Sequence, residues 1–416
     1  MLTKAPRGTN DITGDEVFKW QYVESKVRDI CHRFGFKEIR TPTFEHTELF
    51  LRGVGDTTDV VEKQMYTFTD KGDRSITLRP EVTASSARAF LERNLYANPM
   101  PEKLYYIAPC FRYEKPQAGR LREFHQFGVE VFGSVEPSVD AEIISLATLF
   151  LKELGLKNLE LNINSIGCPE CRKEYNKKLK EYFNSHFDTL CDTCKSRLER
   201  NPLRILDCKS PVCSSLAEDA PKLIDNICQS CSDHFEKVKK YLDGMGISYK
   251  INPNIVRGLD YYTKTVFEIV STDIGAQGTV CGGGRYDGLI SELGGGDISG
   301  IGFGLGLERL LLTMENQGVT FPEIKRTKLY VASIGEAADT FAESLVFSLR
   351  AKGIATEKDR MGKSLKAQMK YADKIGAEYT VVLGDDEINS KNIKLKNMAT
   401  GEVLETTIEN IAEILK

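Results

Sequence analysis

The segment from Phe111 to Gln126, FRYEKPQAGRLREFHQ, holds three arginines, Arg112, Arg120 and Arg122, with Glu114 after the first and Glu123 directly after the last. A guanidinium is a planar fork of N–H donors that meets phosphate oxygens in pairs. Such a segment can hold a polyphosphate without a glycine-rich loop. Pro116 and Gly119 break its middle, and Phe111, Tyr113, Phe124 and Phe127 populate its flanks, so it reads as strand, loop, strand. Strand alternation puts Arg112 and Glu114 on one face. Taken alone, the same residues also describe an exposed, charge-laced hairpin.

Four other stretches carry candidate chemistry. In SITLRPEVTASSARAFLER, a strand at 76–78 bends at Arg79–Pro80, and Glu81 and Thr83 open a helix running to about 93. An acid and a hydroxyl there either cap the helix or bind a substrate ammonium. In HQFGVEVFG, Gln126, Gly128 and Glu130 alternate with Phe127, Val129 and Val131. The polar face of that strand lines a pocket or meets solvent. RGLDYYT brings Arg257, Tyr261 and Tyr262 together. GFGLGLERLLL reads as strand into helix, with Arg309 set either to oppose Arg112 or to pair with Glu308 on the surface.

Neither common nucleotide motif is satisfied. Leu305 occupies the third glycine position of a dinucleotide fingerprint, and Glu357 the first glycine position of a P-loop ending at Gly362-Lys363-Ser364. The glycines of GTVCGGGRYDGL and GFGLG therefore serve tight turns or close backbone approach.

These residues need a large scaffold. The chain has 416 residues, more than one core, so two or three domains are expected. Its net charge of −4 places any nucleic-acid contact on a local patch. No apolar run is long enough to cross a bilayer and the first residues lack an apolar signal core, so a cytoplasmic location is expected. Val17, Trp20, Val23, Val27 and Ile30 predict an amphipathic helix over 15–34. A further helix is expected at 139–154, followed by the strand LELNINSIG.

Eight of the eleven cysteines lie between Cys168 and Cys231, a density that disulfides would not explain in a reducing compartment. Cys168-x2-Cys171 and Cys191-x2-Cys194 have the spacing of paired zinc knuckles, with Cys208, Cys213, Cys228 and Cys231 as a second set. One or two structural zinc ions, the first on Cys168, Cys171, Cys191 and Cys194, are one reading, and reduced thiols in a helical insert the other. From about 326 the chain alternates strand and helix as a βαβ unit does. Lys363, Lys366, Lys370 and Lys374 share one helical face there, opposite Leu365, Met369 and Ala372. That face is either solvated or contacts RNA.

With these segments assembled, the chain resembles the class II aminoacyl-tRNA synthetases, specifically the histidyl-tRNA synthetase family. FKEIRTP resembles the first class motif, found at the dimer interface in the family; FRYEKPQAGRLREFHQ resembles the second and GFGLGLERL the third. RGLDYYT and GGGRYDGL resemble the signatures of the histidine branch. The resemblance implies an α+β fold, with a catalytic core on an antiparallel sheet with flanking helices. Core segments are expected at 1–167 and 246–323, a Cys-rich helical insert at 168–245, and a C-terminal α/β anticodon-binding domain at 326–416. It implies activation of L-histidine with ATP and Mg2+, transfer to tRNA(His), and a homodimer.

By the same resemblance, Arg112 clamps the ATP α-phosphate and Arg309 lies near the γ-phosphate. Glu114, Arg120 and Phe124 contact the nucleotide, with Phe124 stacking on adenine. Glu81, Thr83 and Gln126 hold the amino group of histidine, while Glu130 and Tyr262 surround its imidazole beside Tyr261. Arg112 and Arg257 also serve histidine, Arg257 approaching its carboxylate and the α-phosphate. A histidine-sensing regulatory paralogue without activity is the alternative. Such proteins typically lack the anticodon-binding domain and parts of the ATP motifs, which are present here.

Overall fold

The computed structural model describes residues 3–54, 58, 60–200, 202–206, 208, 210–255, 261–273, 278–324 and 326–416. Arg257 lies outside the described residues. The chain forms two compact units, Met1–Phe321 and Pro322–Lys416. No helix among the described residues is long and apolar enough to cross a membrane.

The first unit is built on an eight-stranded sheet. Its spatial order is Lys37–Glu38, Glu102–Phe111, Glu123–Phe132, Gly300–Gly306, Thr279–Arg285, Thr263–Ser271, Leu159–Ser165 and Lys250–Ile251. The six inner strands pair antiparallel, and only the two-residue strands at the edges pair parallel. Alternation divides the Glu123–Phe132 strand cleanly. Phe127, Val129 and Val131 enter the main core together with Phe303 and Leu305. The helices Asp15–Arg33 and Pro137–Glu153 cover that core, the first burying Trp20, Val23, Val27 and Ile30 at the spacing the sequence predicts.

The opposite face is nearly stripped of side chains. Gly128 pairs with Gly304, Glu130 with Gly302 and Gln126 with Gly306, while Gly304 and Gly302 pair onward with Gly282 and Gly284. At Gly128 an added Cβ would overlap the Tyr106 phenol, and at Gly302 it would overlap the Glu130 carboxylate. The glycines thus form a low floor across which those two side chains lie.

The insert gathers the helices Pro169–Asn184, Asp192–Arg200 and Pro211–Asp219 around a small core of its own, while its last helix, Gln229–Gly244, sends Phe235, Val238 and Leu242 into the main core. The expected metal set of Cys168, Cys171, Cys191 and Cys194 does not form. Cys168 and Cys171 group with Cys228 and Cys231, and Cys191 and Cys194 with Cys208 and Cys213. The intervening helix explains this: sixteen residues at 1.5 Å each carry the chain roughly 24 Å away before Cys191 is reached.

In the second unit, Leu329–Ser333, Thr356–Lys358 and Tyr379–Leu383 form a parallel sheet, as the βαβ pattern predicts. An antiparallel hairpin, Asn392–Asn397 with Val403–Thr407, extends it. Its first strand alternates Ile393 and Leu395 inward with lysines outward, a period-two signal the sequence reading did not use. The Leu365–Lys374 helix buries Gln368 and Ala372 and leaves Lys366, Lys370 and Lys374 exposed, while Lys363, expected on the same helical face, is exposed just before the N-cap Ser364.

Candidate active site

The arginine hairpin is held from both ends. The Arg112 N–H donates to Arg122 O at 2.8 Å, adding a rung beyond the Glu102–Phe111 strand. Reciprocal backbone bonds between Gln117 and Arg120 close the tip, where Gly119 takes a φ of 68°. The Arg112 Nε donates to Pro80 O at 2.8 Å, and its guanidinium lies 5.3 Å from the Phe124 ring centroid. Arg120 Nε lies 2.9 Å from Glu114 Oε2. Facing them, Arg309 sits at the start of the Leu307–Asn316 helix and donates to Thr279 O at 2.9 Å.

These side chains surround a cavity of about 170 Å³ lined by Arg112, Glu114, Arg120, Phe124, Gln126 and Arg309, with Gly282, Gly304 and Gly306 among its walls. Burial and then the neighbouring Arg120 push the Arg309 guanidinium below its ordinary pKa. Three guanidiniums around a glycine floor create a positive potential that a polyphosphate relieves. The surface Glu308–Arg309 pair left open by the sequence is not what forms. Glu308 turns instead to the hairpin, accepting the backbone N–H of His125 at 2.8 Å and lying 3.0 Å from its Nδ1.

Two further steps along the same strand lies a second, buried polar cluster. Glu130 is four residues from Gln126, about 13 Å along an extended chain. Its carboxylate accepts Thr83 Oγ1 at 2.7 Å, Tyr106 Oη at 3.1 Å and Tyr286 Oη. Burial pushes the Glu130 carboxyl up to about 8, against the lowering effect of those hydroxyls. Tyr261 packs 4.7 Å from Tyr262 and 5.4 Å from Tyr286, ring to ring, and closes this side.

Glu81 is buried next to this cluster, and burial raises its carboxyl against two amide bonds. Its oxygens accept the N–H of Thr83 at 2.7 Å and of Ala84 at 2.9 Å, so it does cap the Thr83–Glu92 helix. Thr83 turns its hydroxyl to Glu130 instead. Capping fixes the Glu81 carboxylate without using all its lone pairs.

The candidates Glu81, Thr83, Gln126, Glu130, Tyr261 and Tyr262 thus come from three separated segments onto or beside one sheet face, next to the arginine cavity. Sequence reasoning missed Tyr106 and Tyr286, the two phenols on Glu130. The signal for Tyr106 was its register opposite Gly128, which only strand pairing reveals. It also assigned no part to Arg285, which is wholly buried and whose guanidinium is paired with Asp140, itself 3.0 Å from His234 Nε2. That cluster fastens the Pro137–Glu153 and Gln229–Gly244 helices beneath the site.

An antiparallel sheet with an arginine-bearing hairpin facing a strand-to-helix arginine is the catalytic architecture of a class II aminoacyl-tRNA synthetase. Comparison with known proteins specifies the branch. The family profile described as Histidyl-tRNA synthetase matches residues 8–170 and 208–310, and the one described as Anticodon binding domain matches 328–416. The chain is 59% identical to the Histidine--tRNA ligase of Acetivibrio thermocellus and 60% identical to that of Caldanaerobacter subterraneus subsp. tengcongensis, covering all of each. It superposes on apo histidyl-tRNA synthetase of S. aureus with a TM-score of 0.86 and 41% identity, over the whole of both chains. The chain belongs to the histidyl-tRNA synthetase family. A Bacillus halodurans C protein titled "ATP phosphoribosyltransferase regulatory subunit/histidyl-tRNA synthetase" shares the fold at 22% identity and a TM-score of 0.65, with 89% of this chain and 96% of that one covered.

Proposed function

We propose that the chain activates L-histidine with ATP to histidyl-adenylate and transfers the histidyl group to the 3′ end of tRNA(His). The observation that carries this reading is one strand presenting the arginine-lined cavity at Gln126 and the hydroxyl-bound carboxylate at Glu130. ATP, entering as its magnesium salt, occupies the cavity with its adenine against Phe124. Arg112 meets the α-phosphate and Arg309 the γ-phosphate, with Glu114 and Arg120 completing the nucleotide site.

The substrate carboxylate attacks the α-phosphorus in line, and pyrophosphate leaves. Two anions must approach, so Arg112 and Arg257 offset their repulsion and stabilise the equatorial oxygens that gain charge. No side-chain nucleophile is required, since alignment supplies much of the acceleration. In the second step the ribose 3′-hydroxyl of the terminal adenosine attacks the adenylate carbonyl carbon, the bond from that carbon to the phosphate oxygen breaks so that AMP leaves, and the hydroxyl proton passes to a phosphate oxygen of the departing AMP.

Glu81, Thr83 and Gln126 hold the amino group, and Glu130 and Tyr262 hold the imidazole, with Tyr261 beside them. A cavity whose buried polar groups pair only with an imidazole rejects apolar analogues by large factors. The C-terminal unit reads the tRNA, its lysine face supplying phosphate contacts. The reading includes a cytoplasmic location and a homodimer. Apolar surface for a partner copy is offered by Phe44 and Phe68, 57% and 48% exposed on a three-stranded sheet of Phe44–His46, Ser75–Leu78 and Tyr66–Thr69 that follows the first motif. The reading also takes zinc as the structural metal of the insert, which its clustered thiols support.

Histidine-dependent ATP–pyrophosphate exchange together with tRNA(His) charging tests the reading. Both activities are expected. Histidine binding without exchange would instead place the chain with the regulatory paralogues.

A further inference from the structure

We infer that the insert holds two zinc ions on nested tetrathiolate sites, an outer one on Cys168, Cys171, Cys228 and Cys231 and an inner one on Cys191, Cys194, Cys208 and Cys213. This rests on the zinc reading above and specifies its number, ligands and topology. In each group the four sulfurs lie within 4.8 Å of one another. Cys168 and Cys171 Sγ are 3.5 Å apart, Cys171 and Cys231 Sγ 4.0 Å, and Cys191 and Cys208 Sγ 3.9 Å. A tetrahedron with zinc–sulfur bonds of about 2.3 Å has edges of about 3.8 Å. All eight are free cysteines.

The local backbone is that of a thiolate site. Cys168 and Cys228 are the N-caps of the Pro169–Asn184 and Gln229–Gly244 helices, and Cys171 and Cys231 stand third in them. Cys194 and Cys213 likewise stand third in Asp192–Arg200 and Pro211–Asp219. Each site therefore receives two helix N-termini, whose positive ends favour a cluster of net negative charge. Backbone N–H groups add to this: Cys228 N donates to Cys171 Sγ at 3.0 Å and Cys191 N to Cys213 Sγ at 3.3 Å. Gly167 turns the chain over Cys171 with a φ of 62°, and a Cβ there would overlap the Cys171 Cβ.

The two sites do different work because they close different loops. The outer site joins the two ends of the insert across sixty residues. It adjoins the catalytic sheet, since Gly167 O accepts Lys264 N–H at 2.8 Å, two residues beyond Tyr262. The inner site lies entirely within that loop, where Cys194 and Cys213 are wholly buried among Tyr175, Leu179, Phe183 and Leu198. A core this small is one that a metal crosslink can stabilise substantially.

The test is elemental analysis of the full-length chain, purified without added metal and dialysed against metal-free buffer. About two zinc ions per chain are expected. Cys171→Ser with Cys231→Ser, and separately Cys194→Ser with Cys213→Ser, should each leave about one. In the wild-type protein, a thiol reagent should release both ions as eight thiols react, a readout that needs no variant to fold. One ion per chain overturns the nested pair while leaving zinc in the insert. No zinc, iron in its place, or disulfides in the intact mass overturns zinc altogether. Histidine-dependent pyrophosphate exchange in the same preparation reports separately on the synthetase reading.

Discussion

Replacing Glu130 by Gln separates two contributions its carboxyl makes to stability. Three hydroxyls, those of Thr83, Tyr106 and Tyr286, converge on its two oxygens. The amide keeps one acceptor oxygen and presents an NH2 to the other side, which strands one buried hydroxyl hydrogen at a cost of about 1–3 kcal/mol. Ionisation acts in the opposite sense. Burial raises the Glu130 carboxyl from 4.5 to about 8, so the folded chain keeps a proton that the unfolded chain releases. The stabilisation from that proton is complete below about 4.5 and is lost as pH rises toward 8. Within this window wild type loses about 1.4 kcal/mol per pH unit from this group, and the variant does not. The variant should therefore be the less stable near pH 5, gain on wild type up to about pH 8, and run parallel above it. Trp20, the only tryptophan, is buried in the core of this unit and 4.9 Å from the His125 ring, so its fluorescence reports urea unfolding at each pH. A stability difference that does not change between pH 5 and pH 8 would refute the reasoning.

Three other outcomes are expected. Arg112→Lys removes both the fork and the Nε bond to Pro80 O, and should lower pyrophosphate exchange by roughly 10²–10³ while leaving Trp20-monitored unfolding nearly unchanged. Arg257→Ala should lower exchange by roughly two orders of magnitude, as loss of a charge-stabilising donor does. Near-wild-type exchange would remove Arg257 from the mechanism. Lys366→Glu with Lys370→Glu should weaken tRNA charging, steeply with added salt, and spare exchange. Equal loss of both activities would count against tRNA contact by that helix.

The sequence was most legible where a short-range rule decides structure. The three- and four-residue spacing of Trp20, Val23, Val27 and Ile30 announced a helix, and the alternation around Glu130 announced a strand with one polar face. The arginine hairpin could be recognised because its strands are adjacent in the chain. What stayed hidden depends on pairing between distant segments. Gly302 reads as a strand glycine without a stated partner, and only its register opposite Glu130 shows it making room for a carboxylate. Tyr106, on a strand, and Tyr286, just past the end of another, reach Glu130 from 24 and 156 residues away. The cysteines went astray for the same reason: their spacing identified the pairs correctly, but a helix between the first two pairs sent each to a different partner.

The central claim is that opposed guanidiniums and the Glu130 pocket hold one ligand between them. A crystal structure with a non-hydrolysable histidyl-adenylate analogue tests this most directly. The account predicts the phosphate mimic against Arg112, the adenine on Phe124 and the imidazole against Glu130. An analogue bound elsewhere, with those arginines turned to bulk water, would contradict it.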